Sequence, residues 1–139
     1  MKKLFIPGPV QVDRRVLEEL TRPMMHHRSA ECVAIIKEIN GLLSELLGTK
    51  NDIFLLTSSA TGAMEACIRS CVISRVLCVA NGEFGRRWHS VAVSNGKDAK
   101  LLDFGDGKLI DYSMVAGELG KGNFDSVAFV INETSTGME

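Results

Sequence analysis

Three polar stretches carry residue types suited to gripping a small anionic or flat ligand. They are Ser58-Ser59-Ala60-Thr61-Gly62-Ala63, Asn81-Gly82-Glu83-Phe84-Gly85-Arg86-Arg87-Trp88 and Asn132-Glu133-Thr134-Ser135-Thr136-Gly137. The first stands between an apolar run and a helix-patterned segment. Unpaired amides at a helix N-terminus, the helix dipole and the hydroxyls of Ser59 and Thr61 together suit an anion. Serine and threonine also serve as ordinary helix caps, so both readings stand at this stage. Neither the G-x-x-x-x-G-K-[ST] phosphate loop nor the G-x-G-x-x-G dinucleotide fingerprint is present. In the second stretch, Phe84 falls in the first turn of a helix, where a ring could stack on a flat ligand. Burial propensity alone favours an ordinary core phenylalanine there, and Trp88, one turn on, reads as packing. The third stretch offers amide, carboxylate and hydroxyl groups, either to a ligand or to a turn and the cap of a following helix.

Other reactive residues form no constellation. His26, His27 and His89 follow neither a Ser-His-Asp order nor a metal-ligand spacing. Cys32, Cys67, Cys71 and Cys78 include no C-x-x-C pair. Cys67 and Cys71, four apart, share one helix face. Free cysteine is among the most buried residue types, so reduced core thiols are expected.

The elements that must position these stretches follow from periodicity. Pro7 and Pro9 around Gly8 make the start an extended arm. Asp13 caps a short helix carrying Val16, Leu17 and Leu20. Ser29 caps a long amphipathic helix whose apolar positions run from Cys32 and Val33 to Leu46 and Leu47, with Gly48 as its stop. Strand and helix then alternate, with strands at 52–57, 75–80, 99–104 and 126–131 and helices at 61–73, 82–96 and 111–122. The strands are continuous apolar runs, as in a sheet covered on both faces. Right-handed βαβ units and a mostly parallel sheet are therefore expected. In such sheets ligands bind beyond the carboxyl ends of the strands, where all three polar stretches fall.

The 139-residue length suits one ordinary domain, and a net charge of −1 supplies no general attraction to nucleic acid or anionic membranes. No signal-peptide pattern or membrane-length apolar run occurs, so a cytoplasmic, reducing setting is expected.

The segments PGPVQVDRRVLEEL, HHRSAECVAIIKEI, LLTSSATGAMEA, ANGEFGRRW and NETSTG, in this order, resemble the N-terminal part of the class V aminotransferases, the alanine–glyoxylate and serine–pyruvate group. These are pyridoxal-phosphate enzymes of the aspartate-aminotransferase fold (fold type I). The resemblance implies an α/β, three-layer, mostly parallel sheet with helices on both faces, here incomplete. It implies an arm and short helix over residues 1–28, and the N-terminal portion of the cofactor-binding large domain over 29–139. Ser59, Ala60 and Thr61 match the loop that receives the cofactor phosphate, with Ala60 standing where the family usually has glycine. Phe84 matches the aromatic that stacks on the pyridine ring. Thr134 matches a hydroxyl residue near the ring oxygen, and Glu133 and Ser135 are expected to shape that loop. Gly8 and Pro9 match the arm passing near the substrate.

The implied activity moves an amino group from a small amino acid to a 2-oxo acid such as glyoxylate or pyruvate, within a homo-oligomer. The family's pyridine-pairing Asp, Schiff-base Lys and substrate-clamping Arg come later in its sequences. Lys37, Lys97 and Lys100 read as surface residues, so no catalytic residue is expected in this chain, which alone should be inactive. In this fold type later strands separate the strand matching 52–57 from that matching 75–80. The chain is accordingly expected to re-pair its strands or to depend on a completing chain. A non-catalytic relic or a subunit that oligomerises or binds an anion is the alternative. A lyase of the cysteine-desulfurase kind is a weaker one, since no cysteine lies in the loop such an enzyme uses.

Overall fold

The computed structural model describes residues 3–139 and contains two compact units, one ending at Leu55 and one spanning Leu56–Glu139. In the first unit, α1 (Arg14–Glu19) begins at Asp13, whose carboxylate accepts the Arg15 amide at 2.9 Å. Helix α2 (Ala30–Leu47) begins at Ser29, whose hydroxyl accepts the Cys32 amide at 3.1 Å. It ends at Gly48 in the left-handed region (φ 60°), with the Thr49 amide reaching back to the Ser44 carbonyl at 3.1 Å. That six-to-one closure needs a residue tolerant of positive φ, which glycine supplies. No α2 residue is buried, and Val33, Ile36, Leu42, Leu46 and Leu47 are exposed.

The second unit is α3 (Ala60–Cys71), β1 (Arg75–Ala80), α4 (Glu83–Ser94), β2 (Asp98–Asp103), α5 (Tyr112–Lys121) and β3 (Ser126–Ala128). The sheet order is β2-β1-β3 and both pairings are parallel, Leu77 standing between Lys100 and Val127. Alternating residues of β1 serve the two faces. Val76 and Cys78 pack with Ile68 and Val72 at the end of α3, Ala92 of α4 and Ala128, with Trp88, Val91 and Leu101 around them. Burial pushes the Cys78 thiol up to about 11, which keeps it protonated. On the other face Val79, Ile110, Val115 and Val127 line one apolar cleft, and Lys100 is ion-paired with Glu118 of α5. Helices thus lie on both faces, α3 and α4 packing tightly on one and α5, with no buried residue, only loosely on the other. The continuous apolar run of β1 is what two-sided burial demands, and Leu77 has 0% of its surface exposed.

The N-terminal end of the sheet is tied by Asp125. Its carboxylate accepts the amides of Ser74 at 2.6 Å, Arg75 at 2.9 Å and Ile73 at 3.3 Å, and the Ser74 hydroxyl at 3.0 Å. The amides of Arg75 and Ser74 hold this carboxyl well below its usual range.

Four expectations change. Residues 52–57 form no strand, and Phe54 is 82% exposed, with Leu55 and Leu56 more than half exposed. A strand exists only against a partner, and 52–57 pairs with none of the three strands, whose ladders join β1 to β2 and β3 alone. The last strand is shorter than its apolar run, since β3 stops at Ala128 and leaves Phe129 and Ile131 exposed. Cys67 and Cys71 are exposed on α3, because the face they share lies outside the stripe that Met64, Ile68 and Val72 bury; only Cys78 is buried. Lys97 is more than a surface residue: its ammonium donates to the carbonyls of Val72 at 2.6 Å and Ile73 at 3.3 Å, closing the C-terminus of α3.

Candidate functional site

Helix α3 ends where β1 begins, and α4 begins where β1 ends. Both helices pack on one face of the sheet, so their N-termini lie toward the carboxyl end of β1. The loop after β3 reaches the same rim. This is the position at which open parallel sheets bind ligands.

The start of α4 is filled by the protein itself. Gly82 at the N-cap has no side chain to offer. The Glu133 carboxylate takes that role from across the sheet, accepting the Gly85 amide at 2.9 Å and the Phe84 amide at 3.3 Å. The Ser135 hydroxyl accepts the Glu83 amide at 3.0 Å and donates to Glu133 Oε1 at 2.6 Å, where the Ser135 amide also arrives at 3.2 Å. Glu133 is 1% exposed. Desolvation raises its pKa, but the Ser135 hydroxyl and the Gly85, Phe84 and Ser135 amides outweigh that, leaving it below the ordinary glutamate range.

Two glycines make the geometry possible. A Cβ on Gly82 would lie 2.5 Å from Glu133 Cγ, so position 82 is the slot through which that side chain passes. The backbone there is extended (φ 175°), so close approach and not conformation requires glycine. A Cβ on Gly85 would lie 2.6 Å from Ala80 Cα, which lets the first turn of α4 sit directly on the end of β1.

The start of α3 differs. Ser59 occupies its N-cap position but makes no side-chain cap bond. The Ser58 hydroxyl donates to the Ser59 carbonyl at 3.0 Å, and the Gly62 amide folds back to the same carbonyl at 2.9 Å. Ala60 is the first helical residue, and no described residue other than glycine has positive φ, so the helix does not need glycine there for conformation. A Cβ at Gly62 would strike the Ser58 hydroxyl at 2.5 Å.

Phe84 is half-buried, with the Arg87 guanidinium 4.7 Å over its ring, and Thr134 is exposed. Phe84 is therefore neither a core residue nor a free surface ring. Glu133 bonds the backbone of one and precedes the other, which brings Phe84 and Thr134 together. Ser59, Ala60 and Thr61 belong to the same unit, at the neighbouring helix start. Gly8 and Pro9 belong to the first unit, in the exposed arm before α1. The clamp itself spans 48 residues between Gly85 and Glu133. Its traces in the sequence are the glycine at the α4 N-cap, which leaves those amides without a local side-chain partner, and the expectation from the resemblance that Glu133 and Ser135 shape their loop. His26 and His27 stack on each other at 4.7 Å, and no metal-binding group of three His, Cys, Asp or Glu occurs among the described residues.

A parallel sheet with helices packed against it is part of the architecture of the fold type I aminotransferases, whose solved structures this chain matches. The chain is a homologue of the class V aminotransferases, corresponding to part of them. It is 32% identical to an uncharacterised aminotransferase of Methanocaldococcus jannaschii over 139 residues, covering 98% of this chain and 36% of the relative. It superposes on the ureidoglycine–glyoxylate aminotransferase of Bacillus subtilis with a TM-score of 0.87 and 30% identity, over 95% of this chain and 35% of the other. For an alanine–glyoxylate aminotransferase of Nostoc the TM-score is also 0.87, with 28% identity over 95% and 36%. The chain thus spans little more than a third of the length of the relatives it matches. No family model matches it.

The residues at the rim fit pyridoxal phosphate. The Ala60 and Thr61 amides and the hydroxyls of Ser59 and Thr61 are of the donor type a phosphate would need, and the half-buried Phe84, with Arg87 over one face, is of the type that could stack on a planar ring.

Proposed function

We propose that this chain is the cofactor-binding part of an aminotransferase that moves an amino group from a small amino acid, of the alanine or serine type, to a 2-oxo acid such as glyoxylate or pyruvate. The observation that carries it is the contrast at the rim: α4 is closed by Glu133 while α3 is not closed by Ser59. The two solved relatives named above share glyoxylate in their names, which supports the acceptor, and differ in the amino donor.

In this reading residues 29–139 belong to the large domain and residues 1–28, with Gly8 and Pro9, correspond to the family's N-terminal arm. The α3 amides with Ser59, Ala60 and Thr61 receive the phosphate, Phe84 stacks on the ring, and Thr134 places its hydroxyl near the ring oxygen. Pyridoxal phosphate supplies the electron sink that amino transfer requires. The nucleophilic lysine lies outside these residues. Lys97 is held by two carbonyls, Lys100 is paired with Glu118, and Lys37 is exposed on α2. No helix among the described residues is long and apolar enough to cross a membrane. A cytoplasmic homo-oligomer is the setting proposed.

A second reading has its own support. Phe54, Leu55 and Leu56 stand exposed with no ladder partner, which favours a non-catalytic subunit completed by another chain. Titration with pyridoxal 5′-phosphate separates the two. The cofactor reading expects saturable binding, competed by inorganic phosphate and without a lysine-dependent visible band. Binding that phosphate does not compete would overturn the α3 assignment; no binding would favour the second reading.

A further inference from the structure

We infer that Glu133 is a positioning residue for the aromatic platform, setting the Phe84 ring and the Thr134 hydroxyl in one register. The inference rests on the cofactor reading above and concerns the same rim. A carboxylate buried to 1% exposure is tolerated only if its lone pairs are met, and here three donors converge on Oε1 and one on Oε2. Two of the four are the Phe84 and Gly85 amides, so the carboxylate fixes the backbone from which the Phe84 ring projects. A third and a fourth come from Ser135, so the residues on either side of Thr134 are clamped to the start of α4. The backbone segments that carry the ring and the hydroxyl are therefore tied to each other.

A negative charge is the form the helix start favours, and the Gly82 slot admits a side chain there without displacing α4. A residue required only for folding could have been a local N-cap at position 82. Supplying the cap from the loop that carries Thr134 couples two ligand-facing groups instead.

The test uses the full chain with two probes, pyridoxal 5′-phosphate and inorganic phosphate. Glu133→Gln keeps the shape but loses the charge and turns one acceptor into a donor facing donors. Its affinity for pyridoxal phosphate should fall about tenfold while its affinity for inorganic phosphate, held at α3, is unchanged. In a Phe84→Ala background the same substitution should change pyridoxal phosphate affinity by less than about twofold. A parallel fall for both probes, or an undiminished effect without the Phe84 ring, would overturn the inference. Amide hydrogen exchange gives a readout independent of the cofactor. In Glu133→Gln, and more mildly in Ser135→Ala, the Phe84 and Gly85 amides should exchange at least about tenfold faster while those of Val76–Cys78 keep their protection. Unchanged exchange at Phe84 and Gly85 would also overturn it. If the wild-type chain binds no pyridoxal phosphate, the cofactor reading fails, and exchange alone still decides whether Glu133 holds the platform.

Discussion

Helices α3 and α4 start at the same rim of the same sheet, yet the chain treats their first-turn amides in different ways. At α4 the N-cap is a glycine, and Glu133 and Ser135 cross from the loop after β3 to satisfy the amides of Glu83, Phe84 and Gly85. At α3 the N-cap is a serine that makes no side-chain cap bond. The difference separates two uses of one local feature. A helix start closed by the protein's own carboxylate is a fixed part of the scaffold, whereas one without a side-chain cap leaves its positive end available, which is what the proposed phosphate site would use.

The largest test of that contrast removes the internal anion. Glu133→Ala deletes the acceptor for two helix amides, the Ser135 amide and the Ser135 hydroxyl in a buried setting. Unsatisfied buried donors cost about 1–3 kcal/mol each at most, partly relieved by water entering the space left. A loss of about 3 kcal/mol in urea denaturation is expected. A loss below about 1 kcal/mol would mean that α4 does not depend on this cap.

Closing the slot is the next largest perturbation. Gly82→Ala places a methyl 2.5 Å from Glu133 Cγ and 2.7 Å from Ser135 Oγ, so the clamp must move. Overpacking of this kind costs about 1–3 kcal/mol. The matched change at the other helix, Gly62→Ala, meets only the Ser58 side chain, which is exposed and can rotate. Its cost should be well below that of Gly82→Ala in the same denaturation experiment, and equal costs would erase the contrast.

Acid should act on the same clamp. The pKa of Glu133 is lower in the folded chain than in the unfolded one, so its contribution is present above the ordinary glutamate range and is lost as pH falls through the folded value. Asp125, depressed by the amides of Arg75 and Ser74, adds a loss of the same sign at the other end of the sheet. Thermal melts from pH 6 down to pH 3 should show falling stability, with a shallower slope in Glu133→Gln. An unchanged slope would indicate that the Glu133 carboxylate is not held in its charged form by these amides.

How much of this was legible in sequence depended on whether the cause was local. The runs of β1 and β2 and the periodicity of α2 to α5 are set within a dozen residues, and the structure follows them closely. Capping by Asp13, Ser29 and Gly48 is local too. Residues 52–57 have the composition of a strand, but a strand is made by its neighbour, and this segment pairs with none of the three strands. Cys67 and Cys71 illustrate a different limit, since a burial propensity averages over faces and these two lie off the buried one. The function of Glu133 depends on a contact across 48 residues, which no capping pattern of adjacent positions describes. For the rim, the types of residue at Ser59, Thr61, Phe84 and Thr134 were readable, while the clamp relating two of them was not.

The smallest expected effect is the most discriminating at α3. Replacing an N-cap serine with alanine commonly costs about 1 kcal/mol, because a helix amide loses its partner. Ser59 makes no such bond, so Ser59→Ala should change unfolding free energy by less than about 0.5 kcal/mol. The same variant should bind inorganic phosphate several-fold more weakly, since one hydroxyl donor is lost from the helix start, and calorimetric titration would read this. Stability and binding are thereby dissociated at one residue, the reverse of Glu133, where stability falls and phosphate affinity stays. A stability loss of a full 1 kcal/mol would show Ser59 capping α3 in solution, and the two helix starts would then differ only in which residue closes them.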